Sequence, residues 1–271
     1  MNDSANRNRK KIKTLYIILT ASVTLMIIFA AILLSELYTT GQGRAFYSSL
    51  SGDFVSRPAP AETLLNSGPG SPGLFAAEDG SESFVPFIDF DELRETSPNI
   101  VAWIQSEGTV INYPLVQGTD NYFYLYHLPD GTSHRMGSIF LDYRNSPDFS
   151  DQNIFIYGHH MASGDMFGTL KNYRDQNYFE QHYSMFIFTP TNNFILMLFA
   201  GYVIDSSVEI LPMSFMDADD FYMYISSLRS RSFFTSDVEV SFGDTLVFLC
   251  TCTDGGSNDE RLIIVGKLME V

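Results

Sequence analysis

Apolar positions fall into three patterns along the chain: one continuous run, one stretch without periodicity, and a series of short runs divided by turn residues. From Leu15 to Leu34 the sequence LYIILTASVTLMIIFAAILL carries no charge. Its length matches the roughly 20 residues that a helix needs to cross a bilayer core. It also exceeds the roughly 7–15 residues of a cleaved signal core. A retained transmembrane anchor over 15–35 is therefore expected, with a cleaved signal peptide as the competing reading. Between Ser51 and Ser83 Gly, Pro, Ser and Ala dominate, as in SGPGSPGLFAAEDGSES, with too little apolar periodicity to bury. Residues 36–84 are expected to be a linker, and the folded domain to occupy 85–271.

From Val85 onward the runs shorten. Strands are predicted at Ile100–Ile104, Thr109–Asn112, Gly137–Tyr143, Asn153–Tyr157, Ser184–Thr189, Phe194–Ile204, Asp244–Cys252 and Arg261–Met269. Each is rich in β-branched and aromatic residues and bounded by Gly, Asn, Asp or Pro. Eight such strands predict a mainly β barrel or sandwich. A short helix is predicted over Asp89–Arg94, capped by Asp89, with Phe90 and Leu93 on one side. A longer one is predicted in MDADDFYMYISSLRSR, capped by Asp217, with Phe221, Tyr222, Ile225 and Leu228 at helical spacing.

Charge sets the compartment. Arg7, Arg9, Lys10, Lys11 and Lys13 precede the apolar run and only Glu36 follows closely, so residues 1–14 are expected in the cytoplasm and the remainder outside the cell membrane. The chain holds 16 basic and 32 acidic residues, a net charge of -16. Removing the five basic residues and one acidic residue before Leu15 leaves 11 against 31, close to -20. A domain so acidic repels phosphate, and nucleic acid is excluded as a partner.

Two cysteines, Cys250 and Cys252, are too few for a disulfide framework or a four-thiolate zinc site. Cys252 ends an apolar run, and Arg261 opens the next after the polar loop TDGGSNDE. Two strands joined by so short a loop form an antiparallel hairpin, which brings Arg261 beside the thiol. A guanidinium there lowers a thiol pKa and donates to an oxyanion. The plainer alternative makes Cys252 a small core residue and Arg261 a surface charge. His159 and His160 follow NIFIYG, where the glycine lets the chain turn at a strand end and present an imidazole as acid or base. His127, His134 and His182 sit in polar loops and read as structural. Adjacent strand residues point to opposite faces and no HExxH or CxxC partner exists, so no metal site is expected.

The strings NIVAWIQSEGTVINYPLVQGTDNYFYL, GSIFLDYRN, NIFIYGHHMASGDMFGTLKNY and DTLVFLCTCT, with RLIIVGKL at the end, resemble a class B sortase from about Phe87 to Val271, in the family's order. The resemblance implies an eight-stranded sortase-type β-barrel with peripheral helices, preceded by one transmembrane helix. It also implies a cysteine transpeptidase of the Gram-positive cell surface. That enzyme cleaves a sorting motif after Thr through a thioester and passes the acyl group to an amine of the peptidoglycan cross-bridge or of a pilin, with no cofactor. Carried over, Cys252 is the nucleophile, His159 the acid/base and Arg261 the oxyanion or substrate-positioning cation. Asn121 and Leu125 match groove positions that bind substrate.

One departure concerns Cys250, which stands where the family carries Ser. It is expected either to contact substrate in that serine's place or to form a strained, reversible disulfide with Cys252. The implied partners are surface proteins with a C-terminal sorting signal and an amine acceptor. A non-catalytic peptide-binding barrel is the alternative, though it would need a missing catalytic group. The chain ends in RLIIVGKLMEV rather than in a sorting motif, apolar tail and basic end, so it is not expected to be a substrate of that machinery.

Overall fold

A computed structural model describes residues 2–56, 74–76, 82–84, 87–252 and 259–271, with Cys252 in its backbone alone. The apolar run lies within α1 (Asn2–Phe54), a helix long and apolar enough to cross a membrane. The chain divides into two compact units, Met1–Ala45 and Phe46–Val271. The final turns of α1 belong to the second unit, where Tyr47 and Leu50 are buried in the main core cluster. The expected linker thus begins as helix, because aromatic and aliphatic residues in those turns find a surface to bury against. Most of its remainder, including 57–73, lies outside the described residues. Two short antiparallel pairs flank it, Val55–Ser56 with Phe87–Ile88 and Leu74–Ala76 with Glu82–Phe84.

The second unit is built on eight strands: β1 (Ile100–Gln105), β2 (Asn112–Gln117), β3 (Ile139–Leu141), β4 (Asn153–Tyr157), β5 (Ser184–Phe188), β6 (Asn193–Asp205), β7 (Thr245–Cys252) and β8 (Glu260–Glu270). They close into a barrel in the order β6-β8-β7-β4-β3-β2-β1-β5. The pairs β2–β3 and β4–β7 are parallel, and the others are antiparallel. The eight-stranded barrel expected from the sequence is the fold observed.

Strand β2 departs from its predicted range, 109–112. Gly108 has φ 72° and turns the chain, so the strand starts at Asn112 and continues through Pro114. Strand β3 pairs with β2 only from Leu115, which leaves Pro114 without a neighbour on that side, and there a residue lacking N–H costs no ladder bond.

Alternation along β4, β7 and β8 buries both faces. Ile154, Ile156, Val247, Leu249, Leu262 and Ile264 belong to the main core, whereas Phe155, Leu246, Phe248, Cys250, Ile263 and Val265 form a second cluster. That second cluster is covered by α4 (Ala218–Arg231) through Phe221, Ile225 and Leu228. Burying each of these side chains is worth about 1.5–3 kcal/mol. Asp217 caps α4 as expected, accepting from the Asp220 N–H at 2.9 Å. Tyr222, expected on the apolar face, is 50 % exposed, because one residue past Phe221 turns it about 100° away. Helix α2 (Phe90–Thr96) is capped by Asp89 and buries Phe90 and Leu93, as predicted, and the short α3 (Gln176–Gln181) buries Phe179.

Candidate active site

Three neighbouring strands carry the residues singled out in the sequence to one end of the barrel. In the β7–β8 ladder Cys252 is paired directly with Arg261. In the parallel β4–β7 ladder Cys250 is paired with Tyr157, and the Gly158 N–H extends it by donating to the Cys250 carbonyl at 3.1 Å. Cys252 and His159 each lie two residues further along these strands. The ladders therefore pair Cys252 with Arg261 and run, through Gly158, to the residue before His159. The loop expected between β7 and β8 lies at 253–258, outside the described residues. Arg261 is half-buried and donates from Nη1 to the Glu260 carbonyl at 3.0 Å.

His159 is held at both its ring and its backbone. Its Nε2 lies 2.6 Å from the Leu125 carbonyl. A carbonyl only accepts, so Nε2 carries the proton and Nδ1 is left as the basic nitrogen. Its own carbonyl accepts from the Phe167 N–H at 3.1 Å, closing the loop that follows β4. Burial lowers the imidazole pKa below the usual 6.5, with the Leu125 carbonyl opposing that shift. Gly158 is needed here for space rather than for the turn expected of it. It is not among the positive-φ glycines, but a Cβ would come within 2.7 Å of the Phe167 ring.

A buried carboxylate organises the ground beside these residues. Asp142 follows β3, and its side chain is fully buried. Its Oδ2 accepts from Asn121 Nδ2 at 3.0 Å, from the Tyr157 hydroxyl at 3.0 Å and from Arg144 Nη2 at 2.6 Å. Burial pushes this carboxyl up, but the Arg144 guanidinium and the other donors outweigh it and hold it below the usual carboxylate range. Desolvation, with Cys250 and Asp142 close by, pushes the Tyr157 hydroxyl well up, which keeps it a donor. Asn121, expected at the substrate, is thereby fixed by one amide N–H, while its oxygen accepts from the Tyr143 N–H at 3.1 Å. Each end of the amide retains one further hydrogen-bonding position. Leu125 is half-buried and contributes its carbonyl to His159.

Sequence reasoning singled out neither Asp142 nor the Leu125 carbonyl. An acidic residue closing the apolar string GSIFL was the available signal for the first. A backbone carbonyl leaves no signal at all.

Cys250 corrects an expectation. Its thiol is free and 3 % exposed, packed in the cluster beneath α4 with Sγ 3.6 Å from the Phe248 carbonyl. Burial pushes this thiol well up and the nearby Asp142 adds to the shift, against the opposing charge of Arg261. A protonated thiol so enclosed packs rather than touching a peptide, and it is not engaged in a disulfide.

His127 stacks on Phe123 and bonds its carbonyl at 2.7 Å, His134 accepts from the Met136 N–H at 3.2 Å, and His182 meets the Glu107 carbonyl at 3.1 Å. Among the described residues no group of three or more His, Cys, Asp or Glu is placed to hold a metal ion.

No family model matches the chain. It is 35 % identical over 183 residues to sortase B of Listeria monocytogenes, covering 66 % of this chain and 74 % of that protein. Among solved structures, a sortase B–substrate complex from Staphylococcus aureus superposes with a TM-score of 0.63 at 30 % identity, covering 67 % of this chain and 85 % of the other. A protein similar to sortase B from Bacillus anthracis gives a TM-score of 0.67 at 28 % identity, covering 85 % and 97 %.

Proposed function

Because the chain belongs to the sortase B family, a family of cysteine transpeptidases, we propose that it cleaves a C-terminal sorting motif after Thr and joins the acyl group to a peptidoglycan cross-bridge amine. The observation that supports this reading is the β7–β8 register, which pairs Cys252 with Arg261, next to the parallel β4–β7 ladder whose β4 strand ends two residues before His159. In it Cys252 is the nucleophile, His159 the acid/base and Arg261 the oxyanion donor, with Asn121 and Leu125 along the peptide groove. The binding of a sorting peptide is supported by the relative solved as a substrate complex. Residues 15–35 anchor the protein in the cell membrane with 1–14 in the cytoplasm, and 85–271 form the catalytic domain outside.

Nδ1 of neutral His159 takes the Cys252 proton, and the thiolate attacks the threonine carbonyl. Arg261 holds the tetrahedral oxyanion at a point where charge develops. As the C–N bond breaks, the imidazolium returns its proton to the leaving amine, and a thioester remains. An acceptor amine then attacks the thioester, giving up a proton to the imidazole, and the thiol is released.

Two measurements test this. The full chain in detergent is incubated with a library of sorting-signal peptides and candidate amines, and the products are read by mass spectrometry. Cleaved peptide with a new amide to one amine is expected. Transfer to a pilin lysine rather than a cross-bridge amine would reassign the acceptor, and neither product nor thioester adduct would favour a peptide-binding barrel. The second is the pH profile of kcat/KM. Burial disfavours the charged imidazole, so His159 takes up its proton only below its usual pKa and the acid limb should fall with a midpoint under 6.5. A midpoint near or above that value would remove His159 from the acid/base role.

A further inference from the structure

Two separate chains of contact run from Tyr47, in the last turns of α1, to the two ends of His159. The first reaches the ring. The Tyr47 hydroxyl donates to the Gly137 carbonyl at 2.5 Å. Gly137 has φ 56°, and a Cβ there would overlap the backbone carbonyls of Leu125 and Tyr124. Gly137 is therefore pressed against the carbonyl that holds Nε2 of His159. The Ser138 N–H fastens the same turn by donating to the Tyr124 carbonyl at 2.8 Å.

The second reaches the backbone. The Tyr47 ring meets the Tyr113 ring edge-on, with centroids 5.1 Å apart. The Tyr113 hydroxyl accepts from the Met166 N–H at 3.1 Å. Met166 is fully buried at φ 55°, a conformation costly for a side chain of its kind that persists only where its surroundings impose it. The residue after it, Phe167, donates its N–H to the His159 carbonyl.

We propose that Tyr47 is a positioning residue for the His159 imidazole, so that the end of the anchor helix forms part of the catalytic machinery. The inference rests on the acid/base reading of His159. It makes the turns from Phe46 more than a stalk: the hydroxyl fixes the height of the Leu125 carbonyl, and the ring braces the strained loop after β4. A displacement of a catalytic group by about 1 Å can cost up to about a hundredfold in rate. Loss of one of the two braces is expected to cost less.

The experiment compares full-length protein in detergent with its Tyr47→Phe, Tyr47→Leu and His159→Ala variants. Tyr47→Phe keeps the ring against Tyr113 and removes only the hydroxyl, with its bond to Gly137 and its longer contact with Ser138 Oγ at 3.5 Å. Its kcat on a quenched-fluorophore peptide with Thr at the scissile bond should fall about five- to tenfold, with KM and melting temperature nearly unchanged. In protein labelled with 15N-histidine, the His159 signal should shift from the pure Nε2–H tautomer toward a mixture. A merely structural tyrosine would not move that signal. Tyr47→Leu should add a further loss through the second route. Unchanged kcat and an unchanged tautomer in Tyr47→Phe would overturn the inference. Retained turnover in His159→Ala would instead overturn the catalytic reading of that histidine, while the tautomer measurement still decides the role of Tyr47.

Discussion

Cys252→Ala is expected to lower peptide cleavage by at least about ten-thousandfold, whereas Cys250→Ala should stay within a few-fold of the parent. The two cysteines stand two residues apart on one strand, and the interior one is the buried one. Cys250 is enclosed beneath α4, and burial with Asp142 nearby holds its thiol protonated across the working pH range. A nucleophile must be a thiolate with access to substrate. Cys252 lies at the last position of β7 and is paired with a permanent cation across the ladder. The assay is thioester trapping and turnover on the same peptide. Loss of turnover in Cys250→Ala together with its survival in Cys252→Ala would exchange the two assignments.

Arg261→Gln should cost about 10²–10³ in kcat, the usual toll of deleting one oxyanion donor. Arg261→Lys keeps the charge but loses the planar fork, so it should recover part of the rate without restoring it. Strand β8 holds Arg261 between two partners, Cys252 on β7 and Ile204 on β6, which limits how far a shorter or differently shaped side chain can be repositioned by backbone shift. The measurement is kcat and KM for both variants. A Gln variant that raises KM alone, at constant kcat, would make the arginine a substrate-binding cation and not a transition-state one.

The barrel was legible because seven of its eight strands are apolar runs ended by turn residues, and the helices α2 and α4 because their caps and buried faces sit at the right spacing. Strand β2 starts beyond its predicted first residue because the chain turns at Gly108, and Pro114 within it is tolerated only through the pairing context. Cys252 and Arg261 could be joined from sequence because they flank a short hairpin. The parallel β4–β7 ladder, which leads toward His159, is one that no local pattern announces. The Asp142 cluster and the Leu125 carbonyl depend on atoms that meet only after folding. Tyr47 was assigned to a linker because nothing in the residues around it discloses the surface waiting for it.

That parallel ladder has a temporal meaning. Strands β4 and β7 are separated in the chain by β5, β6 and α4, and parallel partners cannot be linked by a tight turn. Their pairing closes a long loop, whose entropy is repaid only when the intervening elements are already packed. In the function proposed above, the sulfur consequently stays unarmed through most of assembly, and reactivity arrives with the closing seam.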